Sequence, residues 1–359
     1  MQPLQLPIIA VGCCPSSGST LLADLLDSGP GLLCGPELNI LCVERAYQYD
    51  NDFKQEALNR SAFPLASATS HRSRFFNTRY LAQIGLNQNT LNELIAGAET
   101  LPEFIYRFAH HCARFRGREI RAFAEKTPHN ASTVGAYLAA FPKDWFIHIV
   151  RDGRSVVASL KRRGYSLFES ALIWLREVDA VRRYRTSPRL IEIRYEDLVA
   201  SPFEITTRIA KSAGIDIDPD DILKTYTTNE YRSGIFRLEQ WRAYQYSGQI
   251  FADLSFDHEL SNRELAFLYD SELVCPDGQR ISFLGLLKAY GYPVNELDHI
   301  SEGCFMERSA EYFNASSIRA FNQDFALIRK TRYQSYSECV QTDSSAVSPT
   351  GRGRKKGED

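Results

Sequence analysis

Residues Pro7 to Glu37 read PIIAVGCCPSSGSTLLADLLDSGPGLLCGPE. The apolar run Ile8 to Cys13 has the length and flanks of a strand buried on both faces. After Gly18 the leucines of LLADLL recur at helical spacing, so a strand feeds a helix. The connection is made of small residues: Pro15, Ser16, Ser17, Gly18, Ser19 and Thr20. A loop of this kind turns several backbone N–H groups and hydroxyls toward one point at the positive end of the helix dipole. The stretch therefore predicts an α/β fold with a seat for a phosphate or sulfate group.

What that seat holds turns on an absent residue. The nucleoside-triphosphate loop G-x-x-x-x-G-K-[ST] places a lysine on the β- and γ-phosphates. Here five residues separate Gly12 from Gly18, and Ser19 stands in the lysine's place. Triphosphate chemistry is disfavoured and a shorter anionic chain fits better. Composition narrows the field further. A chain of 359 residues that is 44% hydrophobic can bury a large core. A net charge of −2 implies no polyelectrolyte partner, so nucleic acid is not expected. No leader-like segment precedes the first strand and no apolar run is long enough to span a membrane, which makes a cytoplasmic protein the default expectation. The eight cysteines are scattered, with no C-x-x-C pair; no metal site is expected, and Cys13 and Cys14 read as small buried apolar residues.

Four further segments carry chemistry. Cys34, Gly35 and Glu37 follow the first helix, and Glu37 is read as opening a second helix through Leu38, Ile40, Leu41 and Val43. Ala122 to Glu125 reads as a strand ending in Glu125-Lys126-Thr127-Pro128-His129, and a lysine at the carboxyl end of a parallel strand lies where open α/β sheets bind ligands. Trp145 to Gly164, WFIHIVRDGRSVVASLKRRG, reads as a buried strand, a tight turn at Asp152-Gly153, and a helix from Ser155 to Arg163 with a basic end. Arg151 leaves that strand at its carboxyl edge with Ser159 eight residues on, and an arginine with a facing hydroxyl makes a charge-assisted clamp for a terminal phosphate. Arg154, Lys161, Arg162 and Arg163 read as local positive potential or as a solvated face. The last segment, Leu190 to Tyr195, reads as another strand, continuing into Glu196-Asp197-Leu198-Val199.

Taken in order, these segments resemble the sulfotransferases that use 3′-phosphoadenosine 5′-phosphosulfate (PAPS), in particular the tyrosylprotein and carbohydrate branches. Ser17, Gly18, Thr20, Leu21 and Leu22 match the family's 5′-phosphosulfate loop P-[RK]-S-G-T-T-L-L, and R-D-x-R-x-x-x-x-S resembles its 3′-phosphate motif at Arg151 and Ser159. The resemblance implies a three-layer α/β/α domain with a central parallel sheet, built like the P-loop kinases. It implies a donor bound through Ser16, Ser17, Gly18, Ser19, Thr20, Leu21, Arg151, Ser159 and Tyr195, with PAP as product. It also implies that Glu37 serves as general base and that Lys126 contacts the sulfuryl group in flight to a hydroxyl acceptor, whether glycan, tyrosyl or small molecule. Ser16 departs from the pattern, since it stands where the family has Arg or Lys. Lys126 or a basic residue from the helical insertion would take over that charge, or turnover would be slow, or the chain would bind the nucleotide without turnover.

The sulfotransferase domain is expected over 1–300, with its motifs in 7–214, a helical insertion at about 45–118, and a divergent part at 215–300. In the last of these, Tyr231 to Trp241 offers a loose counterpart of the family's nucleotide-closing loop, and helical patterns centre on Leu265 and Leu286. A helical extension at 301–340 and a disordered tail at 341–359 complete the expectation. Two other classes stay open: a small-metabolite kinase of P-loop type, and a non-catalytic PAP-binding protein of the same fold.

Overall fold

The computed structural model describes residues 6–35, 37–60, 84–228, 250, 256–274 and 279–294. Five short, largely apolar segments form one sheet: β1 (Ile8–Cys13), β2 (Leu32–Cys34), β3 (Ala122–Lys126), β4 (Trp145–Val150) and β5 (Leu190–Arg194). Their order is β2-β3-β1-β4-β5 and every neighbouring pair is parallel. A parallel sheet is covered by helices on both faces, which explains why every residue of β1 is buried and the stretch reads as continuously apolar. Alternate side chains divide between the two faces. Ile8 and Ala10 join a core with Phe104, Phe108 and Phe123, while Ile9, Val11 and Cys13 join one with Leu22, Leu25, Leu26 and Ile209.

The helix α1 (Ser19–Ser28) follows β1 directly. Together with α9 (Pro202–Ser212) and α10 (Pro219–Thr228) it covers one face. The other is covered by the helices of the insertion, α2 (Asn51–Arg60), α3 (Gln88–Ala96) and α4 (Leu101–Phe115), and by α5 (Val134–Ala140). This is the expected three-layer arrangement. A third core gathers beyond the end of β4, where α6 (Gly153–Arg162) and α7 (Leu167–Arg182) pack on α11 (Asn262–Tyr269) and α12 (Phe283–Ala289). Fully buried Trp174 lies against Phe283 with ring centroids 4.5 Å apart. The two helical patterns around Leu265 and Leu286 are thus helices, joined by the short antiparallel pair β6 (Glu272–Val274) and β7 (Arg280–Ser282).

Three local readings differ. Glu37 opens no helix: the chain from Glu37 to Val43 is irregular, and the next helical turn is a 3-10 turn at Glu44–Tyr47. The reason is that side chains elsewhere take the backbone N–H groups of Leu38 and Asn39, and Asn39 sits at φ 56° in the left-handed region. Asp152 is not a separate turn but the N-cap of α6, its Oδ1 accepting from the Arg154 amide at 2.9 Å. Tyr195 ends no strand; it begins the short helix α8 (Tyr195–Ala200). The segment Tyr231 to Trp241, the extension 301–340 and the tail 341–359 lie outside the described residues. Among the described residues no helix is long and apolar enough to cross a membrane.

Candidate active site

The site forms where β3, β1 and β4, three adjacent strands, end on the same edge of the sheet. At the end of β1 the chain turns through Cys14 to Gly18, with the Ser17 amide donating to the Cys14 carbonyl at 3.2 Å. Ser16 at φ 72° and Gly18 at φ 93° both occupy left-handed backbone. Gly18 has a second reason to be glycine: a Cβ there would come within 2.4 Å of Tyr195 Cδ2. Ser17 is almost fully buried and its hydroxyl has no hydrogen-bond partner among the described residues. Burial of an unpaired hydroxyl is costly, and an anion seated in the turn would satisfy it. The N-cap Gly18 supplies no side chain to the first amides of α1, and the N-terminus of a helix favours an anion. Ser19, Thr20 and Leu21 make up the first turn of that helix. Behind the loop, burial pushes the Cys13 thiol up to about 12 and the Cys14 thiol well above its ordinary range, so both behave as apolar packing.

Arg151 follows β4 and is buried, with Nη1 donating to the Ser16 carbonyl at 2.8 Å and the guanidinium 4.5 Å from the centre of the Tyr195 ring. The parallel register sets Cys13 beside Ile149, so Arg151 and the loop emerge side by side. Tyr195 in turn lies against Gly18. The expected phosphate loop, Arg151 and Tyr195 therefore form one continuous surface. Ser159 lies half-buried on α6. The basic residues of that helix divide. Arg154 is buried in a fork on Asp152, Lys161 pairs with Glu264 and Arg162 with Glu259, whereas Arg163 Nη1 donates to Ser16 Oγ at 3.2 Å. The contact of Arg163 with the loop is one that no sequence pattern reports.

At the end of β3, Lys126 Nζ is paired directly with Glu37 Oε1, and the lysine side chain is 6% exposed. The two residues expected to act on the acceptor and on the sulfuryl group are thus in contact. Glu125, fully buried, accepts from the Leu38 amide at 3.0 Å and from Thr127 Oγ1 at 2.6 Å on one oxygen, and from Asn130 Nδ2 at 2.6 Å on the other. Burial raises its carboxyl above the ordinary range, and these hydrogen bonds work against the rise. His129 Nδ1 lies 3.0 Å from Oε1 of Glu177, a fully buried carboxylate that also pairs with Arg176. Gly12 lets the backbone at Asn130 and Ala131 pack closely on β1, since a Cβ there would meet Ala131 N at 2.5 Å.

Residues 7–219 match the sulfotransferase family model, and the chain belongs to that family. A protein-tyrosine sulfotransferase from Drosophila melanogaster is 24% identical over 218 residues, covering 58% of this chain and 38% of the relative. The chain thus spans well under half the length of that curated relative. Among solved structures, the sulfotransferase domain of the Synechococcus PCC 7002 olefin synthase is 23% identical, covering 74% of this chain and 95% of that one, with a TM-score of 0.46. The sulfotransferase domain of the curacin biosynthetic pathway is 17% identical, covering 81% and 99%, with a TM-score of 0.45.

Proposed function

We propose that the chain transfers a sulfuryl group from PAPS to an acceptor hydroxyl. The observation that carries this reading is the continuous surface at the ends of β1 and β4. There Arg151 bonds the loop carbonyl of Ser16 and stacks on Tyr195, which itself covers Gly18. Two anion seats so joined suit one nucleotide with phosphate at both ends. The loop from Ser16 to Leu21 takes the 5′-phosphosulfate, and Arg151 with Ser159 takes the 3′-phosphate. In the transfer, the acceptor oxygen bonds to sulfur while the bond from sulfur to the 5′-phosphate oxygen breaks, and PAP leaves with that electron pair. Glu37 receives the acceptor's proton. Lys126 and the loop amides offset charge on the moving group, and catalysis is largely positioning. The name of the curated relative favours a tyrosyl acceptor.

The test is calorimetric titration with PAP, followed by PAP release from PAPS in the presence of a tyrosyl peptide, a saccharide or a small phenol. Glu37→Ala should abolish transfer and leave PAP affinity nearly intact. Absence of PAP uptake by the unmodified protein would overturn the proposal. One observation favours a non-catalytic binder instead: Glu37 is held in an ion pair by Lys126. That reading predicts PAP binding with no transfer to any of the three acceptors.

A further inference from the structure

The Glu37 carboxylate hangs on a segment with no regular secondary structure from Glu37 to Val43. Neither helix nor sheet ladder holds its backbone, yet Leu38 is fully buried, so its N–H requires a partner. That partner is Glu125, at 3.0 Å; the next amide, of Asn39, donates to Thr127 Oγ1 at 3.2 Å. The two acceptors are bonded to each other, the Thr127 hydroxyl donating to Glu125. Both flank Lys126, the residue that grips Glu37. Asn130 Nδ2 ties the assembly to β1, donating both to Glu125 and to the Val11 carbonyl at 3.1 Å. Since β1 runs on into the phosphate loop, the path Val11, Asn130, Glu125, Leu38 fixes Glu37 relative to that loop.

We propose that Glu125 and Thr127 are positioning residues, so that Glu125-Lys126-Thr127 acts as one clasp that sets the Glu37 carboxylate against the transferring group. The proposal rests on Glu37 being the base. Misplacing a reacting group by about 1 Å can cost on the order of 100-fold in rate, and Leu38 is only one residue from Glu37. The clasp's hydrogen bonds run to Leu38, Asn39, Asn130 and Glu37, whereas the terminal phosphate is assigned to Arg151 and Ser159, so the clasp should govern turnover more than PAP affinity.

The experiment compares Thr127→Val, which keeps the shape and loses the hydroxyl, with Thr127→Ser, which keeps the hydroxyl. Hydrogen–deuterium exchange is read on peptides covering 33–43 and 8–20, PAP affinity by calorimetry, and transfer from PAPS to a tyrosyl peptide. In Thr127→Val, exchange at Leu38 and Asn39 should rise roughly tenfold, with 8–20 unchanged and PAP affinity within about twofold. Transfer should fall about ten- to a hundredfold, and Thr127→Ser should restore both. Unchanged exchange at Leu38 and Asn39 would overturn the clasp. So would a parallel loss of PAP affinity. Glu125→Gln, read by the same exchange measurement, decides the matter if Thr127→Val fails to fold. Retention of full transfer by Glu37→Ala alone would instead sink the assignment of the base and leave the exchange result standing.

Discussion

Gly18→Ala offers the sharpest test of the joined anion seats. An alanine at φ 93° and ψ 12° would carry the left-handed penalty of an L residue, about 1–2 kcal/mol. Its Cβ would also arrive 2.4 Å from Tyr195 Cδ2 and 2.8 Å from Cε2, well inside ordinary contact. Tyr195 is 7% exposed and carries the Arg151 guanidinium on its ring, so the ring cannot retreat without moving that arginine. Disrupting the Arg151 to Ser16 hydrogen bond removes a charged-group contact worth about 1.5–3 kcal/mol. PAP affinity should therefore fall at least about tenfold, the equivalent of 1.4 kcal/mol, with a lowered melting temperature. Calorimetric titration and thermal melts read both quantities. Adding Tyr195→Ala removes the clash but not the backbone strain, so the double variant should recover part of the lost stability and none of the lost stacking. If Gly18→Ala binds PAP within twofold of the unmodified protein at an unchanged melting temperature, the loop, Tyr195 and Arg151 do not form one seat.

Arg151→Lys keeps the charge but loses the planar fork and the stacking on Tyr195, and should weaken PAP binding about tenfold or more. Ser159→Ala removes one neutral hydroxyl and should cost only about fivefold. With its thiol at about 12 through burial, Cys13 should resist iodoacetamide at pH 7.5 in the folded protein and react only on denaturation, as read by mass spectrometry; ready alkylation of the native protein would contradict the packing. Burial pushes the Glu192 carboxyl up, but the His148 and Arg185 contacts prevail and hold it at about 2, below the ordinary 4.5. A lowered folded value stabilises the protein above about pH 4.5, and that stability is lost as pH falls toward 2. Glu192→Gln should accordingly flatten the acid limb of a denaturant-melt series, and an unchanged limb would refute the assignment.

Strands and helices were legible wherever local pattern and tertiary demand agreed. Ile8–Cys13 and Trp145–Val150 are continuous apolar runs because both faces of a parallel sheet are covered, and their bounds could be read directly. Glu37 to Val43 failed for the opposite reason. Its apolar spacing suits a helix, but the amides of Leu38 and Asn39 are taken by Glu125 and Thr127, nearly ninety residues further along the chain. No local propensity reports an acceptor at that separation. Glu177 is likewise invisible to local pattern: folding buries it against His129, forty-eight residues earlier in the chain.

The charge missing from the loop follows the same logic. In sequence, Ser16 is a position without a cation, and the natural inference is a deficit of positive potential where phosphate would sit. In space, the Arg151 guanidinium meets the Ser16 carbonyl and the Arg163 guanidinium meets its hydroxyl, both reaching across from the neighbouring strand and helix. A side chain longer than serine at φ 72° would have to share that space with two guanidinium groups. A small residue at position 16 and arginines at 151 and 163 are therefore parts of a single solution. Adding a cation by Ser16→Arg should crowd like charges together and weaken PAP binding, whereas Ser16→Gly, which also suits the left-handed backbone, should be tolerated.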